Sequence, residues 1–107
     1  EVYFADEKLK EVYNKLEESK AEEKDLHKWI SRAIEDLKSD AFCGIQVKKE
    51  LIPNEYKQKL PDLDNLWKYD MPKGWRLLYT VGKDGVIVVS IILEWMDHKN
   101  YERRFGY

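Results

Sequence analysis

Two stretches in the second half of the chain gather residues able to do acid–base and phosphate chemistry. Leu66–Met71 sets Lys68 and Asp70 two positions apart, and Trp75–Val81 brings Arg76 just beyond a Pro72-Lys73-Gly74 turn. In extended backbone, alternate side chains share a face. Trp67, Tyr69 and Met71 therefore line up with Trp75, Leu77, Tyr79 and Val81 across a hairpin, which leaves Lys68, Asp70 and Arg76 together on the opposite face. A lysine, a carboxylate and an arginine on rigid strands suit phosphodiester cleavage. One group takes a proton, and the cations stabilise charge building on phosphate oxygens. The plain alternative is cross-strand ion pairing on a solvated sheet, worth about 0.2–1 kcal/mol.

The last segment, EWMDHKNYERRFGY, leaves an apolar run and can reach the rim of that same face. His98 titrates near neutral pH and is a candidate acid or base. Tyr101 can stack on a base or donate a proton, and Lys99, Arg103 and Arg104, with Lys73 in the turn, can hold backbone phosphates. If the segment is helical, Lys99 and Arg103 share a side, with Glu102 turned elsewhere. The competing reading is a solvated turn with Phe105 folded back on the core.

These residues need elements to position them. Val2–Ala5 reads as a strand, and from Asp6 the apolar positions Leu9, Val12, Tyr13 and Leu16 take helical spacing. Ser19 with Glu22 fits a capping box. A second helix follows, its inner stripe Leu26, Trp29, Ile30, Ala33, Ile34 and Leu37, while His27 is expected to face solvent. The two segments form an antiparallel hairpin lying on a sheet. From Ser39 to Asn65 the pattern is irregular, punctuated by Gly44, Pro53 and Pro61, with a short helix available over Pro53–Leu60. Leu66–Met71 and Trp75–Val81 form a hairpin, and Gly82–Gly85 turns into Val86–Leu93. That run lacks alternation and is expected to be a central strand buried on both faces. The fold class is α+β, ordered β-α-α-β-β-β: one domain over 1–107, a small twisted, mostly antiparallel sheet with two N-terminal helices packed on one face and the other face open.

At 107 residues, 43% hydrophobic and 37% charged, the chain is of globular composition. The longest apolar run, Val86–Leu93, is too short to span a membrane. No signal-peptide pattern is present, and a single cysteine, Cys43, suits the cytoplasm and is expected to be a small buried hydrophobe. Residues 1–40 carry 12 acids and 8 bases, a balance of −4, and residues 41–107 carry 9 acids and 11 bases, a balance of +2. Any anionic ligand therefore belongs to the second half. No zinc spacing, glycine-rich phosphate loop or Gly-x-Ser-x-Gly nucleophile is present, so neither metal nor cofactor is expected.

The order of residues from Leu66 to Tyr101, with the two helices before it, resembles the RelE/ParE family of toxins from bacterial and archaeal toxin–antitoxin systems. The resemblance rests on Trp67–Asp70, on Trp75-Arg76-Leu77-Leu78-Tyr79, on Val86–Leu93 and on Asp97-His98-Lys99-Asn100-Tyr101. It implies a ribosome-dependent, metal-independent endoribonuclease that inhibits translation, in which the ribose 2′-OH of mRNA attacks the adjacent phosphate. By position Arg76 matches the family's phosphate-steadying arginine, Lys68 a strand lysine, Tyr101 the C-terminal tyrosine and His98 the C-terminal acid or base. Asp70 stands where RelE itself has a lysine and could act as the base. The implied partners are a cognate antitoxin, the ribosome and mRNA, with the chain a monomer or part of a toxin–antitoxin hetero-oligomer. The second expectation, given the sequence pI near 5.8, is a non-catalytic protein of this fold that acts by binding DNA gyrase, an antitoxin or another partner.

Overall fold

The computed structural model describes residues 1–106. After β1 (Val2–Phe4), helix α1 (Glu7–Leu16) opens on Asp6, whose carboxylate accepts the Leu9 N–H at 2.7 Å. That bond, chiefly, holds the Asp6 pKa below its ordinary value. Helix α2 spans Ala21–Ser39 with Lys20 at its N-cap and no side-chain cap. The capping box expected at Ser19 does not form, because the Ser19 hydroxyl donates instead to the Lys15 carbonyl at 2.9 Å. It adds a second donor to an end carbonyl of α1 that also accepts the Glu18 N–H at 3.2 Å. Leu26, Ile30, Ala33 and Leu37 form the buried stripe of α2, with Trp29 and Ile34 packed at its margins. His27 does not face solvent: its ring stacks on Tyr13, 4.4 Å between centroids, and its side chain is 17% exposed. Tyr13 and Ser31 clasp the hairpin with a 2.5 Å hydrogen bond.

The sheet holds β1, β2 (Ile45–Gln46), β3 (Trp67–Asp70), β4 (Arg76–Asp84) and β5 (Ile87–Met96), in the order β1-β5-β4-β3-β2. Only β1 and β5 run parallel. Beyond the expected strands, β2 adds an edge, and the exposed Cys43 lies just before it rather than in the core. The turn after β4 is tighter than the sequence suggests. Asp84 pairs with Ile87, leaving Gly85 and Val86 as a two-residue connection with Gly85 at φ 64°. Val86 is 98% and Ile87 45% exposed. The expected burial on both faces begins only near Ser90, because β1 pairs no further out than Ser90 and β3 no further than Tyr79. The end of the β4–β5 hairpin overhangs the sheet.

Ser90 itself is buried, and among the described residues its hydroxyl has no hydrogen-bond partner. An unpaired buried hydroxyl is unfavourable. Ser90→Ala is therefore expected to raise stability by about 1 kcal/mol, or roughly 4–8 °C in Tm for a domain of this size. A thermal melt checks this, and an unchanged or lower midpoint contradicts it.

Both faces of the sheet are covered. On the first, the α2 stripe packs on Leu77, Tyr79 and Ile92. The face expected to be open instead carries a second core, in which Leu78, Leu93 and Met96 meet Ile52, Tyr56, Leu63 and Tyr101. Helices α3 (Asn54–Lys59) and α4 (His98–Phe105) close this side, because each offers a buried tyrosine ring inward, Tyr56 and Tyr101. Asn65 fills the place of a missing strand beside β4: its amide oxygen accepts the Val81 N–H at 2.9 Å and its nitrogen donates to the Val81 carbonyl at 2.8 Å.

A register shift places Tyr79 opposite Ile92 but Leu78 opposite Glu94, so Leu93 is an extra residue in β5. Glu94 thereby falls on the face of Leu78, Trp95 on that of Leu77 and Met96 on that of Arg76.

Candidate active site

Asp70 and Arg76 are paired directly across β3 and β4. Arg76 Nε lies 3.0 Å from Asp70 Oδ1, and Lys68 Nζ lies 3.7 Å from the same oxygen. Both cations sit over the ring of Tyr101, Lys68 at 5.5 Å and Arg76 at 5.3 Å from its centroid. Two strands and a helix thus bring Lys68, Asp70, Arg76 and Tyr101 together. Arg76 is 16% and Lys68 21% exposed by side chain, whereas Asp70 is 49% exposed and forms the solvent edge of the cluster.

Tyr101 is delivered by the way α4 is built. Asp97 caps the helix by accepting the Asn100 N–H at 2.9 Å, and Gly106 ends it in the left-handed region at φ 75°. His98 sits one turn before Tyr101 on α4, with Nε2 2.8 Å from Oε1 of Glu102. The backbone of the Pro72–Gly74 turn abuts it closely: a Cβ on Gly74, whose φ is 80°, would come within 2.9 Å of the His98 Cβ. The start of α4 is therefore held against the turn that leads into Arg76. Two carboxylates, two fixed cations and an imidazole provide proton acceptors, a proton donor and charge stabilisation on rigid supports.

The residues expected to bind RNA separate into two groups. Lys73, Lys99 and Arg103 are exposed. Arg104 points inward instead, with Nη1 2.6 Å from Glu94 Oε2, Nε 3.3 Å from Glu55 Oε2 and its guanidinium over the Tyr56 ring. Its charge is satisfied inside the protein because the β5 bulge turns Glu94 toward α4. The Tyr56 hydroxyl is buried in the same place; burial foremost, then the Glu94 carboxylate, pushes its pKa up.

Glu102, Gly74, Glu94 and Glu55 were not singled out as site residues by the sequence reading. The i, i+4 spacing of His98 and Glu102 is a readable helix pair. The Glu94 and Glu55 contacts depend on the bulge and on where α3 lands, and no local pattern announces either. Among the described residues no group of three or more His, Cys, Asp or Glu side chains is placed to hold a metal ion, and no helix is long and apolar enough to cross a membrane. No family model, no curated protein and no solved structure matches the chain.

Proposed function

We propose that the chain is a RelE-like toxin that cuts RNA without a metal. The observation that carries this reading is the meeting of Lys68, Asp70 and Arg76 over Tyr101, with His98 on the same helix. The strand and helix order also supports it: with β2, α3 and α4 set aside, it is the β-α-α-β-β-β order of the family. In the reaction, Asp70, the most exposed member, takes the proton from the ribose 2′-OH. The oxygen attacks the adjacent phosphorus, Arg76 and Lys68 stabilise the charge gathering on the phosphate oxygens, and the bond from phosphorus to the 5′ oxygen breaks. His98 returns a proton to that oxygen, leaving a 2′,3′-cyclic phosphate and a 5′ hydroxyl. Translated mRNA on the ribosome is the substrate of this reading, and an antitoxin is its regulator.

A second reading is favoured by Asp70 itself. It already neutralises part of the charge of Arg76 and Lys68, and a chain with pI near 5.8 approaches RNA with little electrostatic help. This reading makes the protein a non-catalytic binding domain, for DNA gyrase, an antitoxin or another partner.

Induced expression separates the two. Growth arrest with new 5′ ends on a translated message, both lost in Arg76→Ala and His98→Ala, is the expected result. Arrest without new ends supports the gyrase branch, and no arrest from demonstrably folded protein leaves a binding domain.

A further inference from the structure

The largest cavity described, a groove of about 680 Å³, opens beside the cluster at the end of the sheet, between β4–β5 and α4. It neighbours the candidate site without including it: Trp75 precedes Arg76 in sequence, and Met96 pairs with Arg76 across the sheet. Trp75 and Trp95 line it with the parts of their indoles left exposed by packing on the α2-side core, together with Asn100 and Arg103 from α4.

Its charges sort themselves. Glu55 and Glu94 are both engaged by Arg104, and Asp97 is engaged as the cap of α4. Arg103 is exposed and, among the described residues, makes no ion pair. What the groove offers a visitor is thus the exposed parts of two indoles, one carboxamide and one available guanidinium. Every nucleobase has a π-face that stacks on indole, a carboxamide bonds to base edges, and a guanidinium holds a phosphate. The volume lies within the range of small-ligand sites, large enough for a nucleotide. A neutral base also avoids the penalty that three carboxylates would impose on a purely anionic ligand.

We propose that this groove is a nucleobase subsite, which takes one unstacked base of single-stranded RNA on Trp75 and Trp95 while Asn100 reads its edge and Arg103 holds the attached phosphate. The inference deepens the RNA reading and rests on it for the identity of the strand. The groove fixes the nucleotide beside the one whose phosphate lies at Arg76.

The test uses binding, not cleavage. A 2′-O-methyl hexaribonucleotide lacks the attacking hydroxyl, so it reports occupancy whether or not the protein is an enzyme. Titrated into the full chain, it is expected to quench tryptophan fluorescence. Trp75→Leu is expected to weaken binding about 10-fold, as for loss of a base stack on an aromatic ring. Asn100→Ala and Arg103→Ala change exposed side chains, so they test the groove without risk to the core, and each is expected to weaken binding several-fold. Because one phosphate is held at Arg103 and its neighbour at Arg76, log affinity should fall with log salt at a slope of about 1.4, and Arg103→Ala should lower that slope by about 0.7. An oligonucleotide abasic at every position should bind much more weakly. The inference is overturned by absence of quenching in the wild type, by equal binding of the abasic strand, or by unchanged affinity in both α4 variants. Groove-dependent quenching from a protein that cuts no mRNA would remove the nuclease and keep the subsite. Message cleavage with groove variants as active as wild type would do the reverse.

Discussion

On the proposed nuclease reading, Arg76→Ala is expected to slow RNA cleavage by about 10²–10³-fold, the usual cost of removing one preorganised group that stabilises developing charge. The guanidinium is fixed three ways: by its strand, by Asp70 at 3.0 Å and by the face of Tyr101. A group held so needs no rearrangement as the phosphate becomes more negative, so its loss falls on the chemical step. The variant should remain folded, because Asp70 is half exposed and water can take over its solvation. Arg76→Lys keeps the charge but not the planar fork, and should recover only part of the rate. The rate constant for new mRNA ends on translating ribosomes, measured beside a thermal melt, checks this. A rate within about 3-fold of wild type, against the expected 10²–10³-fold loss, would remove Arg76 from the chemistry.

The second large effect concerns stability, at the junction of β2 with the site. Tyr79 is fully buried, donates its hydroxyl to the Ala41 carbonyl at 2.9 Å and accepts the Gly44 N–H at 3.1 Å. A Cβ on Gly44 would stand 2.6 Å from the Lys68 carbonyl oxygen and 2.6 Å from the Tyr79 hydroxyl. The first contact is backbone and cannot swing aside. Gly44→Ala should therefore push β2 off β3 and cost about 2–4 kcal/mol, combining steric strain with loss of buried hydrogen bonds. Chemical denaturation measures it, and a change below about 0.5 kcal/mol, the scatter of ordinary surface substitutions, would show that the junction yields freely.

The same tyrosine gives the protein an alkaline limit. Burial pushes the Tyr79 pKa up to about 12, above its ordinary value of 10.0. The folded state thus favours the neutral phenol. Its contribution is complete below pH 10 and declines as pH rises from there to about 12, by on the order of 2–3 kcal/mol. Tyr79→Phe should make the fall over that window shallower, with Tyr56 and Tyr69, whose pKa values burial also raises, still contributing, while lowering stability at neutral pH through the unpaired Ala41 and Gly44 groups.

What could be read from the sequence was what depends on local period. Alternation in Leu66–Met71 and Trp75–Val81 was enough to set Lys68, Asp70 and Arg76 on one face, and the Leu26–Leu37 spacing was enough to find the buried stripe of α2. Gly44 was visible only as punctuation, because its role arises from a carbonyl and a phenol far along the chain. The second core was missed for a similar reason. Leu78 and Leu93 lie on a face that looked polar from Lys68, Asp70 and Arg76, and only the arrival of α3 and α4 covers it. Ser19 and Glu22 matched a local rule, yet a neighbouring carbonyl claimed the hydroxyl first.

The extra residue at Leu93 also sets how the chain tolerates length changes. Deleting Leu93 would restore plain alternation, with Ile92 still opposite Tyr79 and Glu94 still opposite Leu78, so everything downstream would keep its face and the loss would be one side chain of the second core. A residue added between Trp95 and Met96 has no such slack: Met96 would turn to the α2 side, and α4 would set off from the wrong side of the sheet, carrying Tyr101 away from Arg76. A residue added at Gly85–Val86 would meet only solvent, since the hairpin there overhangs its neighbours. The two ends of one strand therefore differ sharply in their tolerance of an added residue: one free to drift in length, the other fixed by the phase of the helix that follows it.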